Sequence, residues 1–155
     1  TTTLAAGTYR CSSIHISGSK GEIVTTGAVK IYVDGGVDVT GIGTTAADGK
    51  PGNLQIYVTG SEDVNLRGNG SFYGGIYAPN SNVTLQTSAS GKGGTLFGAV
   101  VAKDFSTFGG GNPTIHFDLS MVTTPTPDPD ATPRVGITTW QEMNSLAWNT
   151  GETVT

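Results

Sequence analysis

The chain has 155 residues, of which 35% are hydrophobic and 24 are glycine, and its formal net charge is −4. This length suits one domain, but the small apolar fraction predicts a thin, regular core. The acidic balance excludes a broad basic surface for nucleic acid or anionic membranes, while leaving room for a small basic patch. Frequent Gly, Thr and Ser with little Leu indicate an all-β protein with many turns.

Short segments that alternate apolar and polar residues follow one another along the chain. Alternation of this kind predicts half-buried β-strands. The segments with this pattern are 14–16, 29–33, 37–39, 54–58, 64–66, 83–85 and 115–119. The polar, Gly-rich stretch 40–53 is interpreted as a loop. Such short strands make a weak hairpin sheet, but they suit the flat faces of a β-solenoid.

Two passages, 72–80 and 96–104, share nearly the same sequence pattern, in which an aromatic residue and Gly precede apolar residues, Ala and a turn residue. Self-similarity at roughly 20–25 residues is typical of repeat proteins, whose units bury their apolar faces only by stacking on one another. We therefore predict a single-domain parallel β-helix, or β-solenoid, of about five short turns. The domain is assigned to residues 1–120, with its turns between about Thr8 and Leu119.

The C-terminal part of the chain has a different composition. Residues 121–134 are rich in Pro, Thr and Asp and are predicted to form an extended linker. In 135–155, a capping-box pattern at 139–142 predicts a short helix, and a strand at 135–137 is the alternative. Trp140 and Trp148 favour burial, so this segment is expected to fold back and cap an open end or flank of the solenoid.

Stacked turns require one continuous core, because no single turn carries enough apolar surface. Pro79 is expected at a corner of the solenoid, since proline lacks the N–H that a central ladder needs, and Asn80 is expected to be left-handed there. The inward positions predicted to form the core are Ile31, Val33, Leu54, Ile56, Val58, Val64, Leu66, Ile76, Val83, Leu85, Val100, Ile115 and Phe117.

Few residues have the spacing of a catalytic or metal site. His116 and Asp118 would share one face of a strand as an acid and base pair, but no nucleophile accompanies them, so a structural role is preferred. Asp34 and Asp38 flank a Gly-Gly turn, which turn chemistry explains better than calcium ligation. Cys11 is the single cysteine and is interpreted as a small apolar residue. No catalytic, cofactor-binding or metal-binding residue is assigned.

Taken together, the motifs resemble a known family. The sequence Tyr-Gly-Gly-Ile-Tyr-Ala-Pro-Asn at 73–80, the related passage 97–103 and Ile-His-Phe-Asp at 115–118 are similar to the β-solenoid domain of large bacterial minor pilins and PilX-type pilus assembly proteins. The residues that carry this family signature are Gly75, Tyr77, Ala78, Pro79, Asn80, His116, Asp118 and Trp140.

The resemblance implies an extracellular domain on the bacterial surface, carried by a type IV pilus or a related secreted filament. Other filament subunits would then be its partners, and no catalytic residue is implied. Pilins of this type have a long hydrophobic N-terminal helix. This sequence contains neither that helix nor a membrane span, so we expect a piece of a longer protein or a domain used in another surface protein.

Two functions agree with these observations. The first is a non-enzymatic structural or adhesion-type binding module that presents its faces, or the loops 41–52 and 87–94, to a surface, a glycan or DNA. The second is a carbohydrate-active β-helix enzyme, either a polysaccharide lyase or a hydrolase. Three or more acids clustered on one face would favour the enzyme. Because the acids are scattered along the sequence, a binding module is our first interpretation.

Overall fold

The computed structural model describes residues 1–18, 20–67, 70–87, 94–109 and 113–122. These residues form a parallel β-solenoid of about five turns, which confirms the predicted fold class. Every strand pair in it is parallel. The chain therefore climbs one turn at a time, and equivalent residues of successive turns lie beside each other.

Three faces run along the solenoid, and the first three turns supply one strand to each. Face A contains β1 (Thr2–Leu4), β4 (Glu22–Thr25) and β7 (Gly43–Thr45). Face B contains β2 (Gly7–Cys11), β5 (Val29–Val33) and β8 (Leu54–Val58). Face C contains β3 (Ile14–Ile16), β6 (Val37–Val39) and β9 (Val64–Arg67).

The fourth and fifth turns are each one long, bent strand, β10 (Ser71–Gln86) and β11 (Thr95–Phe108). The middle of β10 pairs with β8 on face B and its end pairs with β9 on face C. A last strand, β12 (Thr114–Phe117), pairs with the start of β11 and begins a sixth turn. Three short 3-10 turns complete the described structure, at Ala47–Gly49, Pro51–Asn53 and Leu119–Val122.

The core lies between the three faces and agrees largely with the predicted inward positions. From Ile31 to Leu85, all the predicted core residues are buried. Ile115 and Phe117 are 47% and 56% exposed, so their assignment to the core was wrong. They lie on β12, which has a strand partner on one side only. Buried hydrophobic residues that the prediction missed are Ile23, Val29, Val37, Val39, Ala46, Phe72, Ala78 and Leu96.

Two local predictions need correction. The stretch 40–53 is not all loop, because it contains β7, and the solenoid begins at Thr2 rather than near Thr8. Thr44 of β7 is 2% exposed, and its hydroxyl both accepts from the Tyr73 N–H and donates to the Tyr73 carbonyl, each at 2.8 Å. A buried threonine with both bonds satisfied can replace an apolar core residue, which is why the alternation pattern failed here.

Pro79 lies at the bend of β10, as predicted, but the conformation of Asn80 differs from the expected one. Pro79 is exposed and lies in a register shift between Ala78 and Asn82. Asn80 is not left-handed, because Asp48 is the one non-glycine residue with a positive φ in the described part of the chain. The strand turns this corner through extended residues that skip the ladder, so no left-handed residue is needed.

The chain divides into a unit Thr1–Thr123 and a second unit Thr124–Thr155. The predicted linker beyond residue 122, Trp140 and the capping segment 135–155 lie outside the described residues and stay predictions. Within the ranges that the structure describes, no helix has the length and apolar character needed to span a membrane.

Candidate functional site

A row of three tyrosines runs along face B. Tyr32, Tyr57 and Tyr77 are register partners on β5, β8 and β10, so their side chains point outward at equivalent positions. The ring centroids of Tyr32 and Tyr57 lie 5.1 Å apart with the rings stacked, and those of Tyr57 and Tyr77 lie 6.0 Å apart with the rings tilted. Strands about 4.8 Å apart bring aromatic rings into contact in this way.

The tyrosine row is open to solvent at both ends. Tyr32 is 37% exposed and Tyr77 is 49% exposed, while Tyr57 between them is half-buried. Burial, and then the neighbouring Tyr32, raises the pKa of the Tyr57 hydroxyl. Tyr57 therefore remains a neutral donor around neutral pH, and its hydroxyl donates to Oε1 of Gln55 at 2.6 Å.

A trough of about 190 Å³ lies beside this row. Tyr57, Tyr77, Val101 and Met121 contribute to its lining, and Met121 lies over Gly75. Its floor is formed by the small outward residues Gly75 and Ala99, which are register partners, and its remaining lining residues are Gln55, Ile56 and Ile76. The trough therefore follows the solenoid axis and has an apolar lining with one amide at its end.

Gly75 leaves room for Met121 in the lining of the trough. A Cβ atom on residue 75 would lie 2.5 Å from Cε of Met121, so any larger side chain would displace the methionine. Met121 reaches this position because the chain turns after β12, where its N–H donates to the Asp118 carbonyl at 3.0 Å. The sequence had suggested that residue 121 belongs to the linker, which gave no reason to expect it here.

Arg10, the register partner of Tyr32 at the N-terminal end of the tyrosine row, is neutralised by Asp34. Nη2 and Nε of Arg10 donate to the two carboxylate oxygens of Asp34 at 2.9 and 3.2 Å. The Thr59 hydroxyl donates to the same carboxylate at 2.9 Å. The Arg10 hydrogen bond and then the Thr59 hydrogen bond lower the pKa of Asp34 below its ordinary value.

The lowered pKa of Asp34 predicts an acid-side loss of stability. A carboxyl group whose pKa is depressed in the folded state stabilises the fold above its unfolded pKa of about 3.9, and this contribution disappears as the pH falls through the folded pKa. In urea denaturation between pH 6 and about pH 2, we expect Asp34→Asn to lose less stability than the wild type. Asp104→Asn, at another exposed aspartate, serves as the control. Equal pH dependence of wild type and Asp34→Asn would contradict the prediction.

A second aromatic stack explains the position of His116. The rings of Tyr73 and Phe97 stack at 4.6 Å, and those of Phe97 and His116 stack at 4.7 Å. The Asp118 N–H donates to the Gly98 carbonyl at 3.2 Å and so continues the ladder beyond β12. His116 and Asp118 thus both contact the preceding turn from the last turn of the solenoid.

The two aspartates of the suggested calcium turn lie in different ion pairs. Asp38 pairs with Arg67 at 2.9 Å and with His15 at 3.6 Å, whereas Asp34 pairs with Arg10. The two aspartates of the suggested calcium turn therefore have separate cationic partners. In the described residues, no three or more His, Cys, Asp or Glu side chains are grouped so as to hold a metal ion.

Cys11 is half-buried at the end of β2. Burial, and then the charge of Asp34, raises the pKa of its thiol. A raised pKa lowers the thiolate fraction, so the thiol is less reactive than an ordinary one.

Of the residues that carry the resemblance to minor pilins, His116 and Asp118 lie in the last turn of the solenoid, Trp140 lies outside the described residues, and the others are found at the trough, in the core and at the bend of β10. Gly75 and Tyr77 border the trough, and the adjacent Ala78 is fully buried. Pro79 and Asn80 lie at the exposed bend of β10. Sequence reasoning missed Tyr32, Tyr57 and Met121 as members of one site. The signal for the tyrosines was their place in three similar strand patterns, but the spacing between turns had to be known to align them.

A family model described as a domain of unknown function, DUF7305, matches residues 1–124. The chain belongs to this family. The DUF7305 match contains every strand of the solenoid as well as the tyrosine row and the trough. Neither the curated proteins nor the solved structures include a significant match to the sequence.

Proposed function

We propose that this domain is a non-enzymatic, surface-displayed binding module of the adhesion type, and that it binds a glycan along the tyrosine row and the trough. The observation that carries the proposal is the exposed tyrosine row beside an open, apolar trough. Sugar rings have apolar C–H faces and a polar rim, so they match a surface of aromatic rings bordered by a few hydrogen-bonding groups.

The size of the trough indicates that it holds one sugar ring of a larger glycan. Pockets that enclose a drug-sized molecule measure roughly 300–1,000 Å³. The trough measures about 190 Å³ and is open along the solenoid axis. It suits a single sugar ring with neighbouring sugars extending over the tyrosines, as expected for a polysaccharide or a surface glycan.

The proposal includes display on a type IV pilus or a related secreted filament, with other filament subunits as partners. It is supported by the resemblance of the motifs at 73–80 and 115–118 to those of minor pilins. The full-length gene product tests this part. A prepilin helix or a secretion signal before the domain would support it, and a full-length cytoplasmic protein without either would contradict it.

The alternative is a carbohydrate-active β-helix enzyme. Asp34 and Asp38 are held by arginines and Asp63 accepts from the Asn82 amide, which supports binding over hydrolysis, because a glycosidase needs two carboxyl groups that are free to act across the scissile bond. Incubating the domain with acidic and neutral polysaccharides and assaying for hydrolysis or lyase products separates the two functions. If the wild type forms product and the double variant His116→Asn/Asp118→Asn does not, the enzyme is favoured.

We expect Tyr77→Ala to weaken glycan binding by at least about tenfold, which corresponds to about 1.4 kcal/mol. Tyr77 forms the trough wall and has the most exposed ring of the row, so its removal takes away contact area that no neighbour replaces. A glycan array identifies a ligand, and calorimetry then compares the variants. Tyr77→Phe should keep most of the affinity, because it keeps the ring.

Phe108→Ala is the matched control. Phe108 is also an exposed aromatic residue, at 60%, but it lies at the end of β11 and is not among the residues that line the trough. It should leave binding unchanged. If Tyr77→Ala and the wild type bind the identified glycan equally well, or if the folded domain binds no glycan, the proposed site is wrong.

A further inference from the structure

We propose that the glycan is acidic, and that Lys30 binds a sugar carboxylate while the trough holds a neighbouring sugar ring. This inference rests on the proposed function and adds the chemical class of the ligand. Three features of face B support the inference. Lys30 is aligned with the trough, Lys30 has no carboxylate partner, and the residue between Lys30 and the trough is polar.

Lys30 continues the line of residues that forms the trough floor. Lys30 is the register partner of Gln55, Gln55 of Gly75, and Gly75 of Ala99. These residues therefore form one outward row along the solenoid axis, with steps of about 4.8 Å. Lys30 lies one step beyond Gln55 and about 10 Å from the Gly75 floor. A chain of sugars that occupies the trough and extends along the axis passes Gln55 and reaches the Lys30 ammonium.

Lys30 is available to a ligand. It is exposed, and it takes part in none of the ion pairs among the described residues. The other cation of this face, Arg10, already donates two hydrogen bonds to Asp34. No carboxylate occurs in the row that contains Lys30, whose remaining members are Thr8, Gln55, Gly75 and Ala99.

Gln55 gives this end of the trough a polar rim. Its Oε1 accepts the Tyr57 hydroxyl, and its Nε2 donates to the Gly52 carbonyl at 3.4 Å. Since an amide nitrogen has two hydrogens, Nε2 retains one for a ligand oxygen. Along the solenoid axis, a ligand would therefore meet the apolar trough floor, then the Gln55 amide and then the Lys30 ammonium. This order suits a sugar ring followed by a carboxylate.

An acidic glycan fits this face better than single-stranded nucleic acid. Nucleic-acid sites neutralise several phosphates along a positively charged groove. On face B, Arg10 is already paired with Asp34, Lys30 takes part in none of the ion pairs among the described residues, and the net charge of the chain is −4. One unpaired ammonium suits a ligand that carries at most one carboxylate on each sugar.

The experiment uses matched ligands that differ in one charge. Calorimetry at low ionic strength compares oligogalacturonides and sialylated oligosaccharides with the same sugars after methyl esterification of the carboxylates. We expect the wild type to bind one of the acids about threefold to fivefold more tightly than its ester, as for an exposed ion pair, and the preference to fall with added salt. Lys30→Gln should abolish the preference and Lys30→Arg should retain it. Lys20→Gln, at an exposed lysine outside face B, should leave it unchanged.

Each further outcome counts against a particular claim. Tyr77-dependent binding of a glycan with no preference for its acid form overturns the acidic class and leaves the proposed glycan site intact. Absence of any Tyr77-dependent glycan binding overturns the proposed function itself. Tighter binding of oligothymidylate than of every acidic sugar, with loss in Lys30→Gln, overturns the acidic glycan in favour of nucleic acid.

Discussion

Gly98→Ala is expected to destabilise the solenoid by about 3 kcal/mol or more. Gly98 has a φ of +144°, a conformation that residues with a Cβ atom rarely adopt. A Cβ atom at this position would also collide with the carbonyl oxygen of Gly74, its register partner in the preceding turn. Because both atoms belong to backbones that are held in the ladder, the collision cannot be relieved by a side-chain rotation.

Urea denaturation of the two proteins measures this effect. Gly52→Ala is the matched control, since a Cβ atom on residue 52 would meet nothing within 4 Å. Its stability should stay within about 0.5 kcal/mol of the wild type. If Gly98→Ala were as stable as Gly52→Ala, the backbones of Gly98 and Gly74 would not approach each other as closely as described.

Leu85→Ala is expected to cost about 2–4 kcal/mol of unfolding free energy. Leu85 is 2% exposed and lies beside its register partner Leu66 in the preceding turn. The loss combines the transfer of the removed methyl groups with the cavity that remains. Strands on all three faces limit how far the surrounding core can collapse into that cavity.

The same substitution at an exposed position provides the control for Leu85→Ala. Leu119 is 76% exposed, so Leu119→Ala should change the free energy of unfolding by no more than about 0.5 kcal/mol. Similar denaturation midpoints for the two variants would contradict a continuous core through the turns. A far-UV circular dichroism spectrum dominated by helix would contradict the fold itself.

The fold could be predicted largely from local patterns, whereas the candidate site could not. Alternation in 29–33 and 54–58 identifies inward residues, because side chains of a strand point to opposite faces in turn. The same alternation identifies Tyr32 and Tyr57 as outward residues but does not say which outward residues are neighbours. The turns differ in length, since Val64 pairs with Val83 after 19 residues and Val37 with Val64 after 27. A fixed repeat length therefore misaligns the tyrosines.

The sequence by itself determined the class of structure and the direction in which most side chains point. Only the tertiary structure decided that Tyr32, Tyr57 and Tyr77 form one row, that Met121 packs over Gly75, and that Ile115 stays exposed on the last strand. Local alternation reports a side chain's orientation within its own strand. Contacts between turns depend on register and on which strand comes last, and both are set by the lengths and conformations of the intervening loops.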